Sequence, residues 1–338
     1  MKMSSHKLEV AVVGLGVGEQ HARAYARNNS CILRWVYDLN SARTHQVIAE
    51  LGQGMAAENF ETLLADRSVN IISIASYDDM HAGQSCTALR AGKHVFVEKP
   101  LCRSLEELCA IKSVWQAGDN LQLSSNLVLR AAPLYIWLRD TIQEGRLGEI
   151  FAYDGDYLFG RIHKITEGWR KDVDDYSVMQ GGGIHLVDLM LWLTGQRPMA
   201  VTAVGNRICT AGTAFRYHDY VSAMFQFPSG MIGRITANFG CVHRHQHVIR
   251  VFGTNGTFIY DDQGPRLHTS RDPSVPATAL ELSPLPANKG DLIPGFIKAI
   301  LDGGDRQARA QQEFDTISVC IAADQALTGA KPMEIEYI

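Results

Sequence analysis

The stretch "LEVAVVGLGVGEQHARAYARN", residues 8–28, limits the folds open to this chain more than any other. Its apolar opening, Leu8 to Val13, reads as a central parallel strand. Gly14, Gly16 and Gly18 follow, with Val17 between the last two, and a helix is expected from about Glu19. "CILRWVYD" then reads as a second strand ending in Asp38, 20 positions beyond Gly18 (38 − 18). Glycines let a backbone turn tightly and approach a pyrophosphate. The helix start offers free N–H groups and the positive end of its dipole to phosphate charge. Asp38 is placed to accept hydrogen bonds from the adenosine ribose hydroxyls, and its charge would repel a 2′-phosphate. The cofactor expected is therefore NAD, with NADP the lesser alternative. The common fingerprint is GxGxxG. This chain reads GLGVG and has Glu19 at the third-glycine position, which predicts a tighter turn.

The alternation continues. "NFETLLADRS", "MHAGQSCTALRAG" and "SLEELCAIKSVWQAG" have helical patterns, while "VNIISIAS", "KHVFV" and "LQLSSNLVL" read as strands. Strands alternating with helices imply a doubly wound, mostly parallel sheet, which binds ligands beyond the carboxyl ends of its strands. Ser76, His81, Glu98, Lys99 and Asn126 fall at those ends and join Gly14, Gly16, Val17, Gly18 and Asp38 as expected cofactor contacts.

A chain of 338 residues suits two domains. The boundary is expected at 124/125: residues 1–124 form the dinucleotide domain, and residues 125–338 form an α/β domain on a large, mostly antiparallel open sheet, with a C-terminal helix able to pack back on the first domain. Net charge −4 gives no overall basis for binding nucleic acid or an anionic membrane. No apolar run has the length of a membrane span, and the first residues lack signal-peptide organisation. Seven scattered cysteines without a CxxC point to a reducing cytoplasm rather than a disulfide framework.

"VEKPL", residues 97–101, ends a strand in a charged pair locked by proline. Position alone would favour a solvated Lys99. The surrounding pattern favours a lysine held at the cofactor rim, where it can donate to a substrate hydroxyl or carbonyl.

"VVGLGVGEQHARAY", "IISIASYDDMHAGQSCTALRAGKHVFVEKPL", "GRLGEI" and "GGGIHLVDLMLWLTG" together resemble the Gfo/Idh/MocA family of glucose–fructose oxidoreductases, inositol dehydrogenases and rhizopine-catabolism relatives. The resemblance spans nearly the whole chain. It implies a Rossmann domain followed by an α/β domain, NAD(P)-dependent redox chemistry on sugars or cyclitols, and sheet-to-sheet association into homodimers or homotetramers. It also implies that Lys99 and His185 meet at the reacting carbon. Two segments depart from the family pattern: Tyr77 and Asp78 replace a Pro-Asn pair, and Gly181 stands where many members carry an aspartate.

In the second half, residues 184–193 read as an apolar helix entered through three glycines, with His185 and Asp188 on one face. A histidine in a first turn would be kept neutral by the helix dipole, as a general base near neutrality requires. A bare HxxD is more often a core histidine; the glycine entrance and the family match favour catalysis by His185, with Asp188 as its partner or a structural acid. Tyr157, Lys164 and Arg170 are the candidate substrate contacts beside Lys99 and His185. With Arg161, His163 and Trp169 they suit a hydroxyl-rich substrate that could bear phosphate or carboxylate. His243, His245 and His247 would share one strand face, too far apart along it to hold one ion, so no metal site is expected. The expected activity is oxidation of a secondary alcohol of a sugar, sugar derivative or cyclitol. The alternatives are a non-catalytic dinucleotide sensor and an NADPH-dependent reductase of keto sugars or imines.

Overall fold

The computed structural model describes residues 7–329 and 332–338 and divides into two compact units. The first runs to Val128 and resumes over Pro286–Phe314, with Ile338; the second comprises Leu129–Leu285 and Asp315–Tyr337. This differs from a single cut at 124/125, because the chain returns to complete the first unit.

In the first unit, β1 (Leu8–Val13), α1 (Gly18–Arg27), β2 (Cys31–Tyr37), α2 (Ser41–Leu51), β3 (Met55–Ala56), α3 (Phe60–Ala65), β4 (Val69–Ile74), α4 (His81–Arg90), β5 (His94–Val97), α5 (Leu105–Ala117) and β6 (Leu123–Ser125) succeed one another. The six strands are parallel in the order β3-β2-β1-β4-β5-β6. That is the doubly wound arrangement with its switch point between β1 and β4. Local chemistry sets the helix starts: Asn40, Asn59 and Ser104 each accept a backbone N–H as N-caps of α2, α3 and α5. β1 is buried from Val10 to Val13 because helices cover both of its faces. Val10, Val12, Ala22 and Tyr25 pack with Ile293, Phe296 and Ile297 of the returning segment.

The second unit holds α6 (Pro133–Gln143), β7 (Ile150–Leu158), α7 (His163–Thr166), α8 (Ile184–Thr194), β8 (Ala200–Asn206), β9 (Tyr220–Gln226), β10 (Ile232–Asn238), β11 (Gln246–Gly253), β12 (Thr257–Asp261), β13 (Gly264–His268), β14 (Thr278–Ala279) and β15 (Met333–Glu334). Its sheet runs β14-β13-β12-β11-β7-β10-β9-β8-β15. All neighbours are antiparallel except β7 and β10. β9 and β10 are joined at the expected "FPSGM" turn, where Gly230 takes φ +87°. In β7, Tyr153, Gly155 and Tyr157 are buried while Asp154 and Asp156 alternate outward. The inward face packs on α8: Leu186 lies 3.1 Å from where a Cβ on Gly155 would be. On the outward face Arg234 pairs with Asp154 and Asp156, and Arg250 with Asp156.

α9 (Ile293–Leu301) belongs to the first unit, and α10 (Arg306–Ala326) contributes Phe314 to the first and Thr316 to the second. Among the described residues no helix is long and apolar enough to cross a membrane.

Candidate active site

The glycine turn after β1 shows how the short spacing works. Gly14 has φ +81°, and a Cβ there would lie 2.3 Å from the Ala75 carbonyl oxygen, so only glycine lets the turn pass the end of β4. A Cβ on Gly16 would meet nothing within 4 Å. A Cβ on Gly18 would lie 2.9 Å from Ala75 Cβ and 3.5 Å from Val12 Cγ1, so Gly18 provides the close helix–sheet packing usually given to the third glycine. The tighter loop therefore keeps all three functions, and Glu19 is engaged in ion pairs with Arg23 and Arg43.

Val17 precedes α1 without a side-chain cap, and the Gln20 N–H donates to the Val17 carbonyl at 2.9 Å, so the N–H groups of Gly18 and Glu19 are the ones placed for an anion. Asp38 accepts the Leu15 N–H at 2.6 Å on one oxygen and the Asn40 N–H at 2.8 Å on the other. Each carboxylate oxygen keeps a further lone pair for a hydroxyl donor. Open space at Gly16, an uncapped helix start and an acid fixed at the end of β2 fit a dinucleotide.

The "VEKPL" loop is held from beneath. Glu98 Oε1 lies 3.1 Å from His21 Nε2 and accepts the Asn126 amide N–H at 2.6 Å. His21 Nδ1 is 3.1 Å from Ser73 Oγ, and the Asn126 amide also donates to the Lys289 carbonyl at 2.8 Å. Burial raises the Glu98 pKa, but its bonds to His21 and Asn126 and the charge of Lys99 outweigh burial and hold it at about 2. Lys99 is half-buried, at a cis bond to Pro100.

Two residues expected as cofactor contacts, His81 and Asn126, are buried and bonded within the protein. His81 is fully buried, with Nδ1 2.7 Å from the Pro100 carbonyl and Nε2 3.3 Å from that of Ser76, so it ties two loops together. Asn126 is 1% exposed and serves the Glu98 network. Ser76 stays at the rim, its hydroxyl donating to Gln84 at 2.7 Å. His21 was missed by sequence reasoning, although it lies in the glycine-turn motif; its nearest acid in sequence is Glu19, and nothing local signals its partner 77 positions on.

In the second unit, His185 is 8% exposed on α8. Its ring stacks on Tyr157 of β7 at 6.2 Å between centroids and meets His247 of β11 edge-on at 5.9 Å. His245 completes the group, 5.2 Å from Tyr157 and 5.0 Å from His247. Burial pushes the Tyr157 phenol up, and the charges of Arg170 and Arg161 oppose that push. Lys164 is exposed on α7 and joins none of these ring contacts. His243 lies before β11 rather than on it, 3.2 Å from Asp262, so the three histidines do not line one strand. Among the described residues no three His, Cys, Asp or Glu side chains are grouped to hold a metal ion.

The expected glycine entrance to the helix is also corrected. Residues Met179–Gly183 form a π-helical turn continuous with α8, so His185 sits inside a longer helix rather than in a first turn where the dipole would act on it. The glycines serve packing: a Cβ on Gly182 would lie 2.3 Å from the Tyr157 ring, and one on Gly181 would lie 2.2 Å from the Tyr176 hydroxyl. Asp188 is not a free partner for His185. It is buried, with both oxygens 3.0 Å from Arg130 Nε, and Arg130 Nη2 makes a further contact. Burial pushes the Asp188 carboxyl up and Arg130 opposes it. Nothing near Arg130 in sequence signals this pair. Asp324 of α10 is the second unnoticed acid; it accepts Ser177 Oγ at 2.7 Å and Gln180 Nε2 at 2.9 Å at the start of the π turn. Loss of surrounding water lifts its pKa to about 6 against those two bonds.

Comparison with known proteins agrees with this fold. Residues 8–123 match the oxidoreductase family with an NAD-binding Rossmann fold, and residues 135–259 match the GFO/IDH/MocA C-terminal domain. Levoglucosan dehydrogenase of Pseudarthrobacter phenanthrenivorans is 23% identical over 293 residues, covering 75% of this chain and 73% of that protein. The scyllo-inositol 2-dehydrogenase (NAD(+)) of Bacillus subtilis is 28% identical over 264 residues, covering 75% and 74%. The solved levoglucosan dehydrogenase in complex with NADH and levoglucosan superposes with a TM-score of 0.86 at 20% identity, over 98% of this chain and 100% of that one. With both family models matched, the chain belongs to the Gfo/Idh/MocA family of oxidoreductases, and its first unit is an NAD-binding Rossmann domain.

Proposed function

We propose that the protein is an NAD-dependent dehydrogenase that oxidises a secondary alcohol of a sugar, sugar derivative or cyclitol. The observation that carries this reading is the locked loop at Lys99: Glu98, His21, Ser73 and Asn126 fix the end of β5, so the amine is presented from a rigid rim. The named activities of the levoglucosan and inositol dehydrogenases support the substrate class. Gly14, Gly16, Val17 and Gly18 would hold the pyrophosphate, and Asp38 the adenosine ribose. A bound nicotinamide supplies the acceptor for the hydride. His185 acts as the base for the hydroxyl proton, with Tyr157 orienting its ring by stacking, and Lys99 acts as a hydrogen-bond donor to developing negative charge. Asp188 is a structural acid, neutralised by Arg130.

We assign the protein to the cytoplasm, in keeping with seven unpaired cysteines. We also assign homodimer or homotetramer assembly to the outward face of the large sheet. There Val204, Met224 and Ile232 are 71%, 48% and 40% exposed beside the Arg234 ion pairs.

Lys99→Met tests the reading. With polyol substrates and NAD, NADH formation should fall on the order of 10²–10³-fold, while NAD affinity stays within about threefold by titration. Turnover equal to wild type would remove Lys99 from the chemistry.

A further inference from the structure

Residues 160–177 connect β7, which carries Tyr157, to the helix that carries His185. The segment leaves the sheet at Gly160, whose φ of +60° and missing Cβ let it pass against the His243 carbonyl. Several of its charged side chains are ion-paired. Lys171 lies 3.6 Å from Asp172, and Asp174 lies 3.3 Å from Arg216. Arg161 and Arg170, in contrast, have no carboxylate within ion-pair distance among the described residues. The sheet's own arginines are satisfied: Arg234 and Arg250 by Asp156, and Arg266 by Asp261.

Each of these two guanidinium groups rests on an aromatic ring, Arg161 5.7 Å from the Phe159 centroid and Arg170 4.5 Å from that of Trp169. Stacking holds the plane of a guanidinium and leaves its edge N–H donors turned outward. Phe159 in turn stacks on Tyr157 at 6.0 Å, and Tyr157 on His185. Both positive charges also act on the buried Tyr157 phenol. Two cations of the second unit thus lie close enough to the Tyr157 ring for their charge to act on it, with no carboxylate among the described residues close enough to pair with them. A planar fork of donors matches carboxylate or phosphate oxygens in pairs.

We propose that the substrate carries an oxyanion group, a carboxylate or a phosphate on the polyol, and that Arg161 and Arg170 bind it while His185 faces the hydroxyl to be oxidised. The proposal rests on reading His185 as part of a hydroxyl-oxidising site. Lys164 has no part in it.

The experiment uses the full-length protein loaded with NAD for turnover and with NADH for binding. Glucose and myo-inositol are the neutral probes, gluconate and glucuronate the carboxylate probes, and glucose 6-phosphate the phosphate probe. Turnover is followed as NADH formation, and binding by calorimetry and by tryptophan emission, since Trp169 underlies Arg170. The expected result is a kcat/KM or affinity for at least one anionic probe on the order of 10–100-fold above its neutral parent. Arg161→Gln and Arg170→Gln should each lower handling of the anionic probes far more than that of their neutral parents and so remove most of that preference, and Arg170→Lys should recover part of it. Whether carboxylate or phosphate probes show the preference identifies the group. Equal or better handling of neutral probes, or equal losses for both classes in the variants, would overturn the proposal. If no probe is oxidised but anionic probes bind through the two arginines, the anion site stands and the dehydrogenase reading fails. If neutral probes are oxidised and anionic probes neither bind nor react, the reverse holds.

Discussion

Replacing Asp324 by asparagine isolates one buried charge and gives a signed, pH-dependent result. The carboxyl has a folded-state pKa of about 6 against 3.8 for an ordinary aspartate. A raised pKa means that the folded protein binds the proton more tightly than the unfolded chain does. Wild-type stability is therefore greatest, in this respect, below pH 3.8 and falls as pH rises toward about 6, where the charge must be held with little water around it. At about 1.4 kcal/mol per pH unit, the span is worth up to about 3 kcal/mol. The amide of the Asp324→Asn variant has no charge to desolvate, and its one carbonyl oxygen can still accept from Ser177, while the Gln180 amide can turn to present its oxygen. Urea unfolding of both proteins at half-unit steps from pH 4 to 8, read by circular dichroism, should show the variant gaining on wild type by up to about 3 kcal/mol between pH 4 and about 6.5 and staying level above that. A stability difference that does not change with pH, or one that narrows as pH rises, would refute the assignment of a desolvated carboxylate to position 324.

Three further outcomes follow from the geometry. Arg130→Leu should cost about 3–5 kcal/mol in denaturant unfolding, because it takes the guanidinium from the buried Asp188 carboxylate, and Asp188→Leu should cost less, because Arg130 is only partly buried. The double variant should recover most of it, and a kcat loss on the order of 10³-fold in folded Asp188→Asn would return that residue to the chemistry. Gly181→Asp should cost about 1–3 kcal/mol by overpacking against Tyr176, and adding Tyr176→Ala should relieve it; equal stability of the single and double variants would mean that Tyr176 does not fill that space. Glu98→Gln should weaken the pH dependence of unfolding between pH 4.5 and about 2, because the native carboxylate's depressed pKa adds stability that is lost as pH falls through that window. The effect on stability above pH 4.5 is about 3 kcal/mol at most, and an unchanged acid limb in the variant would exclude it.

The Rossmann half was legible because its signals are local. A strand period, a glycine turn, a cap or an acid at a fixed offset each lies within a few residues of what it controls, and β1, α1, β2 and Asp38 fall where those signals put them. The site's supports were not legible, since they depend on pairing across long stretches of chain. Glu98 finds His21 and Asn126, Asp188 finds Arg130 58 positions away, and Asp324 finds Ser177 147 positions away. None of those separations leaves a periodic trace. The three glycines before His185 were misread for a related reason. A glycine run looks like a loop, yet here each one faces a side chain, Tyr176, Tyr157 or Met179, that leaves no room for a Cβ. The histidines around position 245 likewise looked like one strand face until β11 was seen to begin at Gln246.

The late return of the chain has a consequence for biosynthesis. Ile293, Phe296 and Ile297 seal the hydrophobic layer beneath α1, yet the ribosome delivers them only after strands β7 to β14 of the second unit have been made. A nascent Rossmann half waits with that layer open to water, so its final closure cannot precede emergence of the second unit's first segment, Leu129–Leu285. A messenger cut after codon 128 would thus specify a sticky fragment rather than a smaller coenzyme-binding protein.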